Sequence, residues 1–248
     1  MSMSSFASFW DSVPTFGYGF QRYQIIRGTT GERRGGGPRE VPAVFVFGDS
    51  VIDVGNNQYL PNSTAKANFP PNGIDFPGGK PTGRFSNGFN IADYVAQCYG
   101  FEMSPPAFLS LSKAELKRSI CNGINFASAG SGVLNTIGVS LGGLISMDAQ
   151  LDYFRTSLDG FTPRLCSTTR RVLLSKSIFL LSAASNDLLR FYMSNASKTH
   201  DAISKFITSL ASKYRSQILE TLYSLGARRF AILGLGLNGC TSMRFVGN

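Results

Sequence analysis

Four short runs of apolar residues divide the sequence at wide intervals, at residues 41–47, 123–127, 177–183 and 228–234. Each run is rich in Val, Ile, Leu or Phe and lacks the apolar-polar alternation of a half-exposed strand. Such continuous runs are typical of strands that are buried on both faces, as in a parallel sheet. The pattern therefore predicts four buried strands.

Helical periodicity separates these runs. The strongest signal covers residues 201–225, where apolar residues recur every three or four positions and Gly226 follows as a helix-ending glycine. A second helix is expected after Asn87 as its N-cap, with Gly100 beyond its end. Its apolar stripe is predicted to comprise Ile91, Tyr94, Val95 and Cys98. Strands that alternate with helices predict an α/β fold with a parallel sheet covered on both faces.

Residues 1–40 differ in composition from the rest of the chain. They contain the segment RGTTGERRGGGPRE and have no apolar stretch of the length that a secretory signal needs. We interpret this segment as a flexible Gly/Arg-rich leader, followed by a folded domain over residues 41–248. The leader does not settle the cellular compartment.

Composition excludes several classes of protein. Apolar residues make up 43% of the chain and charged residues 16%, which is not the composition of a disordered chain. No apolar run approaches the ~20 residues of a membrane-spanning helix. The net charge is +9, but the basic residues are scattered and no nucleic-acid-binding motif accompanies them, so nucleic acid is not an expected partner.

The four cysteines, Cys98, Cys121, Cys166 and Cys240, are widely spaced and form no CxxC pair. This spacing argues against a zinc site. One or two disulfides and free buried thiols both remain open, and the sequence does not indicate a pairing.

Three of the predicted strands end in residues suited to acyl transfer. Ser50 follows Gly48-Asp49 after the first strand, Gly130 lies in a run of small residues after the second, and Asn186 follows the third. The carboxyl ends of parallel strands meet at one edge of the sheet, where active sites collect. An exposed serine can act as a nucleophile, and backbone N–H groups and an asparagine amide can stabilise an oxyanion. Taken singly, each residue also fits a turn or a helix N-cap.

Taken together, these segments resemble the plant GDSL esterase/lipases of the SGNH hydrolase superfamily. Six blocks match in the family's order: VFVFGDSVIDVGNN, GRFSNGFNIADYVA, GINFASAGSGVLNTIG, ISMDAQLDYF, SIFLLSAASNDLL and LYSLGARRFAILGLGLNGC. The resemblance implies a three-layer αβα sandwich around a parallel sheet. It implies hydrolysis of small-molecule esters or acyl lipids without a metal or organic cofactor. It assigns Ser50 as nucleophile and places the N–H groups of Ser50 and Gly130 and the amide of Asn186 in the oxyanion hole.

The sequence departs from the family in one respect that concerns catalysis. The family's late DxxH block, which supplies the general base and its aspartate, has no counterpart here. The only histidine, His200, precedes the last matched block and has Ser197 three residues before it, so it is not expected to be the base. We therefore expect a domain whose C-terminal part is missing and whose activity is impaired. The alternative is a non-catalytic truncated scaffold or an incomplete gene model.

Two further motifs carry weaker signals. Asn62 and Asn195 each begin an N-glycosylation sequon, and the family is usually extracellular. Gly234, Gly236 and Gly239 match the spacing of a dinucleotide-binding fingerprint. That motif requires a following helix and an acid about 20 residues later. Too few residues follow, so a dinucleotide is not an expected cofactor.

Overall fold

A computed structural model describes residue 39, residues 41–194 and residues 197–235. The strands are β1 (Val44–Gly48), β2 (Ile178–Ser182) and β3 (Arg229–Ile232). The helices before β2 are α1 (Ile91–Cys98), α2 (Lys113–Ser119), α3 (Met147–Asp159), α4 (Pro163–Cys166) and α5 (Arg170–Lys176). Those after it are α6 (Ser185–Met193), α7 (His200–Lys213), a π-helical segment (Tyr214–Leu219) and α8 (Glu220–Leu225). The predicted division into a leader and a domain stays a prediction.

The three strands form a parallel sheet in the order β1-β2-β3. The predicted strand at 123–127 is not regular in the structure, although it lies parallel to the free edge of β1. The N–H groups of Val44 and Val46 donate to the carbonyls of Asn122 and Ile124, at 3.2 and 3.1 Å. The N–H groups of Phe126 and Ser128 donate in turn to the carbonyls of Val46 and Gly48, at 2.8 and 2.9 Å. The segment still continues the sheet beyond β1.

The sheet separates two apolar cores, as the continuous apolar runs predict. Phe45, Phe47, Phe179 and Leu181 face one core, which contains apolar residues of α3, α5, α7 and α8. Alternate residues of the same strands, Val44, Val46, Ile178 and Leu180, face the other core, which contains residues of α1. Helices on both faces of a parallel sheet confirm the predicted αβα arrangement.

The long helical prediction is confirmed, with one refinement. Residues 200–225 form α7, the π-helical segment and α8 in unbroken succession. Gly226 then adopts a φ of 122°, a conformation that residues with a Cβ rarely adopt. The chain turns there and enters β3.

The prediction for α1 was wrong in its cap and in most of its buried face, of which Val95 alone is buried as predicted. The N-cap is Asn90, whose side chain accepts the N–H of Asp93, while Asp93 accepts the N–H of Asn90. Asp93 is also paired with Arg84 at 2.8 Å, and both side chains are buried. This buried ion pair draws the Asp93 face of the helix inwards, so that Ile91 and Tyr94 lie exposed.

A disulfide joins Cys121, after α2, to Cys166 at the end of α4. Cys98 is exposed and carries a free thiol. Cys240 lies outside the described residues. The structure thus decides one pairing that the sequence left open. Among the described residues, no helix is long and apolar enough to cross a membrane.

Candidate active site

The three predicted strand ends meet around Gly48, the last residue of β1. Its carbonyl accepts the N–H of Ser128 at 2.9 Å and the hydroxyl of Ser131 at 2.7 Å. Asn186 in turn donates through Nδ2 to the carbonyl of Ser131 at 2.8 Å. These bonds bring the segments that carry Ser50, Gly130 and Asn186 to one edge of the sheet.

Gly48 has to be a glycine because its backbone adopts a φ of 154° directly beside β2. A Cβ at this position would lie 2.0 Å from the carbonyl oxygen of Ser182. Glycine therefore lets the chain pass close to β2 and turn at the end of β1, where Asp49 and Ser50 follow.

Ser50 lies partly exposed in the turn that follows β1. Asp49 shapes that turn: its N–H donates to the carbonyl of Ser182 at 3.1 Å, and its Oδ1 accepts the N–H of Val51 at 3.1 Å. Within the described part of the chain, the backbone N–H of Ser50 is bound to no acceptor. It is therefore available to a ligand.

Gly130 lies in the loop after the 123–127 segment, with a φ of 85°. Its N–H, like that of Ser50, donates to no acceptor among the residues that the structure describes. A Cβ here would lie 2.3 Å from Cδ1 of Leu141. The loop can therefore keep this backbone only with a residue that lacks a side chain, or with displacement of Leu141.

Asn186 does not cap a helix. The N-cap of α6 is Ala184, which adopts a φ of 89° and makes no side-chain capping bond. Asn186 lies in the first turn of α6 and uses one amide hydrogen to bind the loop at Ser131. An amide nitrogen carries two hydrogens, so one remains for a ligand.

Two side chains that no sequence pattern indicated hold this arrangement together. Gln150 of α3 is fully buried, accepts the N–H of Gly48 at 2.8 Å and donates to the carbonyl of Gly48 at 2.9 Å. Asp187, next to Asn186, accepts the N–H groups of Val133 and Leu134 at 2.8 and 2.9 Å. Both residues lie inside matched blocks, and this is the signal that could have indicated them. Neither lies in a local sequence pattern that predicts its role.

Three carboxyl groups are buried close to the nucleophile turn. Burial raises the pKa of Asp49, and with the lowering effect of the Val51 N–H and the raising effect of the Asp187 charge the value is about 6. Burial likewise raises the pKa of Asp53 to about 6, although it accepts several backbone N–H groups. Burial also raises the pKa of Asp187. Tyr214, from the π-helical segment, is buried, and both its burial and the charge of Asp49 raise its pKa.

His200 is the first residue of α7 and is exposed. It follows the far end of α6, which runs about 10 Å from Asn186 to Met193 at 1.5 Å per residue. The expectation that His200 is not the base of Ser50 stays a prediction.

The two predicted glycosylation sequons differ in what the structure describes. Asn62 is exposed, and Asn195 lies outside the described residues. Gly236 and Gly239 of the dinucleotide-like spacing also lie outside them.

Comparisons with known proteins agree with this geometry. Residues 44–245 match the family model of the GDSL-like lipase/acylhydrolases. GDSL esterase/lipase At5g55050 of Arabidopsis thaliana is 39% identical over 205 residues, which cover 81% of this chain and 54% of the relative. GDSL esterase/lipase At4g16230 of the same plant is 42% identical over 207 residues, covering 82% and 54%.

The chain thus spans about half the length of the curated relatives that it matches. The match includes the strand ends of Ser50, Gly130 and Asn186 and the buried side chains that hold them together. The chain belongs to the GDSL-like lipase/acylhydrolase family.

Proposed function

We propose that this chain supplies the nucleophile and the oxyanion hole of a serine hydrolase that cleaves carboxylic esters, either small-molecule esters or acyl lipids. One observation carries the proposal. The backbone N–H groups of Ser50 and Gly130 lack acceptors within the described residues, and both belong to segments that meet at one edge of the sheet. Asn186 adds an amide donor to the same edge.

The reaction follows from these groups. Ser50 Oγ attacks the carbonyl carbon of the ester and gives up its proton to a base. The carbonyl oxygen becomes negative and accepts hydrogen bonds from the N–H groups of Ser50 and Gly130 and from Nδ2 of Asn186. Collapse of this intermediate expels the alcohol, which takes up the proton, and leaves the acyl group on Ser50. Water then attacks the acyl group, releasing the acid and restoring the serine.

The donors matter because they are fixed before the reaction begins. Gln150 holds Gly48, and Asn186 holds Ser131, so that no large reorganisation is needed when charge develops on the substrate oxygen. Loss of one oxyanion donor typically lowers kcat by about 10²–10³. The family resemblance assigns the base to the histidine of the DxxH block, and His200 does not match that block.

The test uses an extended form of the protein that carries the family's DxxH pair. Ser50→Ala should abolish both hydrolysis of p-nitrophenyl butyrate and labelling by a fluorophosphonate. Asn186→Ala should lower kcat by about 10²–10³ with a smaller change in KM, because the amide acts mainly on the transition state.

Asn135→Ala is the matched control, since Asn135 is an exposed asparagine on the neighbouring loop whose side chain binds Asp148. It should retain activity. Labelling that persists in Ser50→Ala would remove Ser50 from the reaction. Labelling of Ser50 without hydrolysis would favour a ligand-binding scaffold.

We further propose that the protein follows the secretory route. The Cys121–Cys166 disulfide supports this, since disulfides persist in oxidising compartments. The exposed position of Asn62 supports glycosylation there. A mobility shift on removal of N-glycans that is smaller in Asn62→Gln than in the wild type is the expected result in a plant expression host. A secreted protein whose mobility does not change would exclude Asn62 as an acceptor.

A further inference from the structure

Ala129, the residue before Gly130, has both of its backbone polar groups bound by side chains of the nucleophile segment, which comprises residues 50–57. Its N–H donates to Oδ2 of Asp53 at 3.0 Å, and its carbonyl accepts Nδ2 of Asn57 at 3.0 Å. Asp53 and Asn57 are 0% and 1% exposed. Two buried side chains thus bind the backbone of one residue that lies more than 70 positions from either of them in sequence.

The geometry of the peptide bond gives this contact a consequence for Gly130. The carbonyl of Ala129 and the N–H of Gly130 belong to the same peptide group, which is planar and trans. A bond that fixes the direction of the carbonyl therefore fixes the direction of the N–H on the opposite side. Asp53 fixes the preceding peptide plane in the same way, through the N–H of Ala129.

The pair is itself held in place. Oδ1 of Asp53 accepts the N–H groups of Gly55 and Asn56, at 2.7 and 2.8 Å. Oδ1 of Asn57 accepts the hydroxyl of Ser128 at 2.5 Å, and its Nδ2 also donates to the carbonyl of Ala65 at 2.9 Å. Neither side chain has to reorganise to hold Ala129.

We propose that Asp53 and Asn57 are positioning residues of the oxyanion hole, which aim the Gly130 N–H at the substrate oxygen by holding the two peptide groups of Ala129. This inference rests on the proposed function. The nucleophile segment would then have two roles. It carries Ser50, and it sets the direction of the Gly130 N–H that binds the substrate oxygen.

Two substitutions test the proposal with little change in volume. Asp53→Asn keeps an acceptor for Gly55 and Asn56 but presents an NH₂ group to the N–H of Ala129. Asn57→Asp keeps the acceptor for Ser128 but presents an oxygen to the carbonyl of Ala129. Each substitution therefore replaces one hydrogen bond to Ala129 with a repulsive contact, donor against donor in Asp53→Asn and acceptor against acceptor in Asn57→Asp.

Asn56→Asp is the matched control. Asn56 is equally buried and donates to the carbonyls of Asn125 and Ala127, at 2.9 and 2.8 Å, on the same segment but upstream of Gly130. A purely structural role predicts the same effects for Asn56→Asp and Asn57→Asp. A positioning role predicts effects at Gly130 that are specific to Asp53 and Asn57.

The first measurement is the ¹⁵N–¹H resonance of Gly130 in the 248-residue chain, which does not depend on catalysis. We expect it to move or broaden in Asp53→Asn and Asn57→Asp, and to move much less in Asn56→Asp. An unmoved Gly130 resonance in Asp53→Asn, or an equal movement in Asn56→Asp, would overturn the proposal. Asp53→Asn adds no charge, so it decides the matter if Asn57→Asp does not fold.

The second measurement is steady-state hydrolysis in the extended form. Asp53→Asn should lower kcat by about tenfold to a hundredfold with KM nearly unchanged, less than the ~10²–10³ expected when a donor is lost outright. A loss confined to KM would overturn the positioning role. If the wild type shows no hydrolysis that depends on Ser50, the proposed function fails, and the Gly130 resonance alone decides whether the pair holds the loop.

Discussion

Replacement of Gln150 by leucine should destabilise the chain strongly, because this side chain accepts a strand N–H group that has no backbone carbonyl to bind. The N–H groups of Val44 and Val46 bind carbonyls of the 122–124 segment, and the N–H of Gly48 continues that row but donates to Oε1 of Gln150. Nε2 of Gln150 donates to the carbonyls of Gly48 and Ile145, at 2.9 and 3.0 Å.

Leucine has a similar size and no polar atoms, so packing changes little while the hydrogen bonds are lost. The Gly48 carbonyl keeps its bonds from Ser128 and Ser131. The Gly48 N–H and the Ile145 carbonyl, by contrast, lose their only partner among the described residues. A buried polar group without a partner costs about 1–3 kcal/mol, so two such groups lower the free energy of unfolding by about 2–6 kcal/mol. That is a large share of the ~5–15 kcal/mol that stabilises a typical domain.

The assay is urea denaturation of the purified chain, followed by far-UV circular dichroism. Gln97→Leu is the control, because Gln97 also lies in a helix but makes one exposed bond, to the carbonyl of Glu102. It should change the free energy of unfolding by no more than about 0.5 kcal/mol. If both variants unfold at the same urea concentration as the wild type, the reasoning about Gln150 is wrong.

Three further predictions concern the same edge of the sheet. The folded-state pKa of Asp49 is raised from 3.8 to about 6. The contribution of Asp49 to folding stability is therefore present at low pH and is lost as pH rises through 6. Asp49→Asn should therefore gain stability relative to wild type between pH 4 and pH 7, by up to about 3 kcal/mol at 1.36 kcal/mol per pKa unit; melting curves that stay parallel across this range would contradict it. Gly48→Ala, whose Cβ would lie 2.0 Å from the Ser182 carbonyl, should lose more than about 4 kcal/mol of stability, whereas Gly234→Ala, with nothing within 4 Å, should melt like the wild type. Finally, the 248-residue chain should show no turnover of p-nitrophenyl butyrate above a Ser50→Ala control at pH 8, because a serine hydroxyl needs a base and His200 does not match the family's DxxH block. Hydrolysis that is lost in both Ser50→Ala and His200→Ala would identify His200 as the base.

Much of the fold was readable from local patterns. Continuous apolar runs located β1, β2 and β3, because a strand buried on both faces cannot carry polar residues on either side. The helical periodicity of residues 201–225 and the glycine after it located α7 and α8, because both depend on neighbours within a few positions. The matched blocks indicated Ser50, Gly130 and Asn186 as candidate site residues, and the structure places their segments at one sheet edge.

Other features depended on partners that are distant in sequence. Asn186 looked equally suited to cap a helix, and only the structure shows that Ala184 is the N-cap and that Asn186 binds Ser131. The α1 stripe was misassigned because the buried Arg84–Asp93 pair, which no hydrophobic period reveals, decides which face turns inwards. The pairing of Cys121 with Cys166 depends on how α2 and α4 come together.

The physical reason is the same in each case. A strand or helix is specified by the periodicity of its own side chains, so the sequence by itself determined β1, β2, β3 and the helical stretch that ends before Gly226. A buried hydrogen bond is specified by which groups come within about 3 Å of each other after the chain has folded. Gln150 reaches Gly48 across 102 positions of sequence, and Asn57 reaches Ala129 across 72. The tertiary structure alone decided these contacts, and they are the ones that hold the candidate site in shape.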